Sequence, residues 1–188
     1  MQRRRPKSLP WMKKDNSIML LRMDEESLSF LQQVKDAMVA YFGQDSRRID
    51  HALQVTEYSR ELLQYIDADP LSTLSAAYLH DIGIPEAERK YGHAAGKLQE
   101  QEGPPVAREL LQALGGGSRL IEEVCELIAH HHTPAGIDSP EFRILWDADA
   151  LVNLEEVTAG QSREQIERLL DRWMVTEAGY RRACKIYL

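Results

Sequence analysis

The chain has 188 residues, 43% of them hydrophobic and 28% charged, with a formal net charge of −7. That describes one soluble globular domain able to bury its own core, with or without a tail. The acidic balance gives no strong signal for nucleic acid or an anionic membrane face. No apolar run approaches the ~20 residues of a membrane span. The two cysteines, Cys125 and Cys184, form neither a disulfide framework nor a zinc-ligand spacing, as expected of a cytoplasmic chain.

Residues 1–16 carry Arg3, Arg4, Arg5, Lys7, Lys13 and Lys14 against Asp15, a net of +5 that leaves −12 on the rest of the chain. Pro6 and Pro10 break regular structure here, and no apolar stretch follows that could make a signal peptide. A disordered or loosely docked arm over 1–18 is expected, an anionic contact being the other reading. Residues 19–160 form the main domain, and 161–188 a helical tail that packs on it.

From Asp24 the pattern turns helical, with Leu28, Leu31, Val34, Met38 and Phe42 at three- and four-residue steps and Gly43 closing the run. Asp45 or Ser46 caps a second helix carrying Ile49, Ala52, Leu53, Leu62 and Ile66 inward. Asp69-Pro70 opens a third, rich in Ala and Leu, running to about Ile82 and stopped by Gly83 and Pro85. A polar stretch from Glu86 to Gly103 follows, with room for a short helix. Pro104-Pro105 then reads as a helix start, closed at Gly115-Gly116-Gly117, and Ser118 as the cap of the next helix, which ends near His130. Ser139-Pro140 starts a helix through Leu154, and Ser162 to Gln165 resembles a capping box before the last helical run. No alternating strand segment stands out. The expected fold is all-α, a single bundle of about seven helices. The closing stretch from Tyr180 to Leu188 packs back or mediates a homodimer.

Ionisable residues sit where this pattern expects core. His80-Asp81 end the apolar run Ala76-Ala77-Tyr78-Leu79, His51 lies in Ile49-Asp50-His51-Ala52-Leu53, and Asp149 lies in Ala148-Asp149-Ala150-Leu151. Buried charge is costly unless paired or bound to a metal. Four such residues on three or four helices therefore suggest one shared polar site. Asp147 and Asp149 are two apart on a helix and point ~200° from each other, so only one of them can face it.

His51, then His80-Asp81-Ile82-Gly83, then Ala148-Asp149-Ala150-Leu151 resembles the H…HD…D pattern of the HD-domain metal-dependent phosphohydrolase superfamily, in its His-Asp-Ile-Gly form. The resemblance implies an all-α fold over about residues 24–155. It also implies one or two divalent ions per chain (Mn, Fe, Co, Ni, Mg or Zn) held by His51, His80, Asp81 and Asp149. Ile128-Ala129-His130-His131-His132 looks like the extra motif of two-metal members, with His131 favoured and His130 or His132 second. Glu102 and His93 are the further candidates for a second metal, while Ile84 stands where two-metal members often carry Lys.

The implied activity is hydrolysis of a phosphate ester or anhydride in a small phosphorylated molecule, with nucleotides the leading substrate class. Asp81 would bridge or orient the attacking water. Glu86 or Glu88 would serve as general base. Arg48 would contact phosphate or else form a surface ion pair, and Asn153 and Lys90 would contact substrate. A di-iron oxygenase and a non-catalytic metal or nucleotide sensor are the alternatives within the same superfamily.

Overall fold

The computed structural model describes residues 23–188, so the expectation for the basic arm lies outside them. Among the described residues there are nine helices and no strand: α1 Glu25–Phe42, α2 Ser46–Leu62, α3 Pro70–Leu79, α4 Ile84–Tyr91, α5 Gly96–Ala113, α6 Ser118–His130, α7 Pro140–Thr158, α8 Arg163–Trp173 and α9 Glu177–Tyr187. The all-α expectation holds. The two extra helices come from the polar stretch after Gly83 and from the C-terminal tail.

Several helix starts are set by local chemistry. Asp24, Asp45, Asp69, Ser139 and Thr176 each accept a hydrogen bond from the backbone N–H three residues on, satisfying a donor the helix cannot pair internally. Ser162 and Gln165 form the full capping box. α1 ends at Gly43, whose φ of 60° suits a residue without Cβ.

α3 is the centre of the bundle. Every residue from Ser72 to Leu79 is buried, and the helix packs against α1, α2, α6 and α7. A ten-residue helix with no solvent face is held by this packing more than by its own propensity. α2 also lies along α7, and α5 along α6.

Three boundaries differ from the sequence reading. Ser118 makes no cap bond; Gly117 occupies the cap position. α3 stops at Leu79, and Gly83 is the residue before α4 rather than a terminator, with Pro85 in the first turn of α4. Pro104 and Pro105 lie inside α5, which starts eight residues earlier at Gly96. Each proline removes a helical N–H donor and favours a break. Here tertiary contacts keep the helix going: Gly103 of α5 meets Gly83, and Glu102 accepts hydrogen bonds from Lys90 and from the Tyr91 hydroxyl (2.9 Å).

Gly83 has an ordinary right-handed backbone, so its value is steric. A Cβ there would stand 2.5 Å from Gly103 N and 2.6 Å from Gln99 O, atoms of a packed backbone that cannot step aside. Gly83→Ala is expected to cost about 3 kcal/mol through overpacking. Denaturant unfolding checks this, and wild-type stability would refute the close-approach role.

The C-terminal stretch packs back. Tyr187 donates its hydroxyl proton to Leu151 O (2.5 Å), and Arg182 pairs with Glu61 on α2 (2.6 Å). Trp146 is partly buried and donates to Trp173 O (3.0 Å), joining α7 to the end of α8.

Candidate metal centre

His80 and Asp81 sit in the turn that ends α3, where the chain leaves the helical path. The turn lets two consecutive side chains face one point, which consecutive residues inside a helix, ~100° apart, do less well. His51 comes from the middle of α2 and Asp149 from the middle of α7, helices packed side by side. His131 follows α6 at its C-cap.

The donor atoms converge. His51 Nε2 lies 3.2 Å from His80 Nε2, 3.1 Å from Asp149 Oδ1 and 3.6 Å from Asp81 Oδ2. His80 Nε2 lies 3.5 Å from Asp81 Oδ2 and 3.7 Å from Asp149 Oδ1. Adjacent nitrogen and oxygen ligands ~2.0–2.2 Å from one ion sit roughly 3–3.5 Å from each other. The side chains are thus already spaced for a single small cation.

Second contacts set which nitrogens face inward. His80 Nδ1 donates to Ala77 O (2.9 Å), and His131 Nδ1 donates to Ile128 O (2.6 Å). A carbonyl can only accept, so each Nδ1 carries its proton, and in the neutral ring the lone pair is then on Nε2, the arrangement typical of metal-bound histidine. His131 Nε2 is buried with no hydrogen-bond partner, and the nearer Asp81 oxygen is 3.6 Å away. A buried polar atom left without a partner is costly. A cation accepting that lone pair would satisfy it, so the residues present fit a divalent metal.

Among the described residues, two groups of donors lie within 4.8 Å of one another, His51–His80–Asp81 and Asp81–His131–His132, with Asp81 common to both. Electrostatics follow from this crowding. Burial opposes ionisation of Asp81 and Asp149, but the neighbouring imidazoles hold both carboxyls below their ordinary value. Burial alone would depress His51 and His131, yet Asp149 beside the first and Asp81 beside the second hold them above it. His80, fully enclosed, is pushed down by burial, which favours the neutral ligating form.

The neighbouring aspartate has a different task. Asp147 points to the other side of α7 and accepts from Val175 N (2.8 Å), Thr176 N (2.9 Å) and Thr176 Oγ1 (2.5 Å). Burial pushes its carboxyl up to about 6 against these bonds. A Cβ at Gly179 would fall 2.2 Å from Asp147 Oδ2, so the start of α9 closes onto this carboxylate.

The cluster opens into a cavity of about 970 Å³. Arg48 and Asn153 line it; Arg48 pairs with Glu88 (2.6 Å) and Asp45 (3.0 Å), and Asn153 donates to Asp149 Oδ1 (2.9 Å). Glu88 lines it too, but Glu86 does not: its carboxylate is held by Arg89 (2.8 Å), three residues on along α4. Lys90 and Glu102 pair with each other and lie outside the cavity lining. His93 is exposed, its Nδ1 accepting weakly from Ala95 N (3.4 Å). His130 is half-buried and outside both donor groups. Of the candidates for a second group, the structure therefore brings in His131 and His132, and leaves out His130, His93 and Glu102.

Gln99 and Glu100 escaped the sequence reading. Gln99 Nε2 donates to Ala94 O (2.7 Å), turning its Oε1 to accept from His132 Nε2 (2.9 Å). Glu100 accepts from His132 N (3.0 Å) and Thr133 Oγ1 (3.0 Å). A helix starting before Pro104 would have put Gln99 and Gly103 one turn apart on one face; reading the prolines as a start hid that.

A scan of family models matches the HD domain over residues 48–154, more than half of the chain. The chain belongs to the HD-domain family. The matched region runs from Arg48 to Leu154 and contains His51, His80, Asp81, His131 and Asp149. Among solved structures, this HD-domain chain is similar to a predicted HD superfamily hydrolase from an uncultured Thermotogales bacterium. The two share 26% identity with a TM-score of 0.57, over 88% of this chain and 91% of that one. No curated protein matches. No described helix is long and apolar enough to cross a membrane.

Proposed function

We propose that this HD-domain protein is a metal-dependent phosphohydrolase acting on a small phosphorylated molecule, a nucleotide being the family-level expectation. The observation that carries the reading is the convergence of His51, His80, Asp81 and Asp149 at separations of 3.1 to 3.7 Å, with the lone pair of His131 Nε2 beside them unpartnered. The related Thermotogales protein, described as a predicted HD superfamily hydrolase, supports hydrolysis.

His51, His80, Asp81 and Asp149 would hold one divalent ion, and Asp81 with His131 and His132 a second. The mixed nitrogen and oxygen donor set favours a transition ion over magnesium. Bound there, such an ion lowers the pKa of a coordinated water toward ~7 and polarises a phosphoryl oxygen. Asp81, common to both groups, orients the attacking water. Asn153 steadies the Asp149 carboxylate. Arg48, held at the cavity wall by Glu88 and Asp45, exchanges a carboxylate partner for the substrate phosphate, which its planar fork fits equally well. Glu88, which lines the same wall, would take the water's proton once Arg48 turns to the phosphate; Glu86 is held by Arg89 outside the lining.

The test is phosphate release from p-nitrophenyl phosphate by metal-reconstituted protein. Exhaustive chelation is expected to abolish turnover, and re-addition of one divalent ion to restore it. Full activity in protein with no detectable metal would sink the reading. Turnover that requires oxygen and releases no phosphate would favour the oxygenase alternative instead.

A further inference from the structure

We infer that the substrate is a phosphomonoester with a hydrophilic, non-aromatic body, such as a sugar or polyol phosphate, and not a nucleoside polyphosphate. This inference rests on the phosphohydrolase reading and narrows it. The cavity lining beyond the metal-ligand candidates carries it.

Charge is the first observation. Polyphosphate sites clamp several anionic groups with arginine, lysine or metal. Among the described residues, the wall and rim carry Asp45, Asp50, Glu88, Glu155 and Glu156 against Arg47 and Arg48, and no lysine. Arg48 is already shared by Asp45 and Glu88. Arg47 is 88% exposed, lies 3.6 Å from Glu156, and is screened by water. One arginine suffices for one phosphate beside a metal site. A trailing di- or triphosphate would run past carboxylates, with no free cation among the described lining residues to meet it.

The absence of a base-binding slot is the second. Nucleobases are held by stacking on aromatic faces or against apolar walls. Among the described residues, no Phe, Tyr or Trp lines this cavity, and the rings that do are the imidazoles of His51 and His132, both in the donor groups. Its apolar groups are the short side chain of Ala94 and the single branched chains of Ile84 and Val152. The amides of Gln54, Gln99 and Asn153 line it as well. Amides and carboxylates together match hydroxyl groups, which both donate and accept. A volume of about 970 Å³ would admit a nucleotide, so the selection is chemical and not one of size.

The test compares kcat/KM on the metal-reconstituted full chain for ribose 5-phosphate and glucose 6-phosphate with that for adenosine monophosphate and triphosphate. p-Nitrophenyl phosphate reports phosphohydrolase activity as such. The sugar phosphates are expected to exceed the monophosphate by about tenfold and the triphosphate by about a hundredfold. Isothermal titration with non-hydrolysable phosphonate analogues should give the same order without turnover. In Glu155→Gln/Glu156→Gln, the triphosphate should gain about fivefold relative to ribose 5-phosphate as the rim loses charge. A preference for either nucleotide, with p-nitrophenyl phosphate still hydrolysed, overturns the inference and leaves the phosphohydrolase reading standing. An unchanged ratio in the double variant overturns the charge argument. No phosphate release from any substrate overturns both readings.

Discussion

Asp81→Ala protein is expected to bind no divalent metal and to lose phosphohydrolase activity by at least about 10³-fold, while its far-ultraviolet circular dichroism stays helical. The reason is topological. Asp81 is the residue common to both donor groups, its Oδ2 near His51 and His80 and its Oδ1 near His131. Removing any other ligand disturbs one group; removing this one opens both. The fold should survive because Asp81 is not part of the apolar core: it lies in the turn after α3, while the packing rests on Leu74, Leu79 and Ile82 around it. Metal content by mass spectrometry and a thermal melt, read together, decide the matter. Metal retained at the wild-type ratio would refute the assignment, whatever the activity.

The second large effect separates two aspartates on one helix. Asp147→Ala is expected to cost about 3 kcal/mol, because three donors at the start of α9 lose their buried acceptor. In a chain of this size that lowers Tm by roughly 10 °C. Metal binding should persist, since Asp147 faces away from the cluster. Asp149→Ala should show the reverse, with metal content reduced and stability of the metal-free protein changed by no more than about 1 kcal/mol. One aspartate supports the fold and the other the chemistry. Matching effects in both variants would contradict the geometry.

The same pair shows where sequence reasoning reaches and where it stops. Helical periodicity alone says that Asp147 and Asp149 point apart, because two residues span ~200° of a helix. It does not say that Asp147 meets Val175 and Thr176, nearly thirty residues away. That contact depends on how α8 and α9 fold back over α7, and no local pattern encodes it.

The His-Asp-Ile-Gly segment teaches a related lesson. As sequence, Gly83 reads as a helix stop. In the structure its backbone is helical, and what matters is the missing Cβ, which lets α5 pass at Gly103. Pro104 and Pro105 likewise read as a start signal. They lie within α5 because the contacts of Glu102 and Gly103 with α4 and the Gly83 turn outweigh the local penalty. Glu86 and Glu88 differ by two positions on α4, so one lines the cavity and the other is left to Arg89.

The all-α class, several of the caps, and the presence of ionisable residues on helices otherwise destined for the core are legible in the chain alone. Those are local properties: a repeat of 3.6 residues, a side chain bonding three residues on, a charge among apolar neighbours. That His132 joins His131 in the cluster while His130 does not, that Lys90 is taken by Glu102, and that the described cavity lining is richer in carboxylates and amides than in cations and holds no Phe, Tyr or Trp, all follow from the three-dimensional packing. Each of these depends on which helix lies beside which, and helix contacts join residues far apart in the chain through packing that periodicity does not specify.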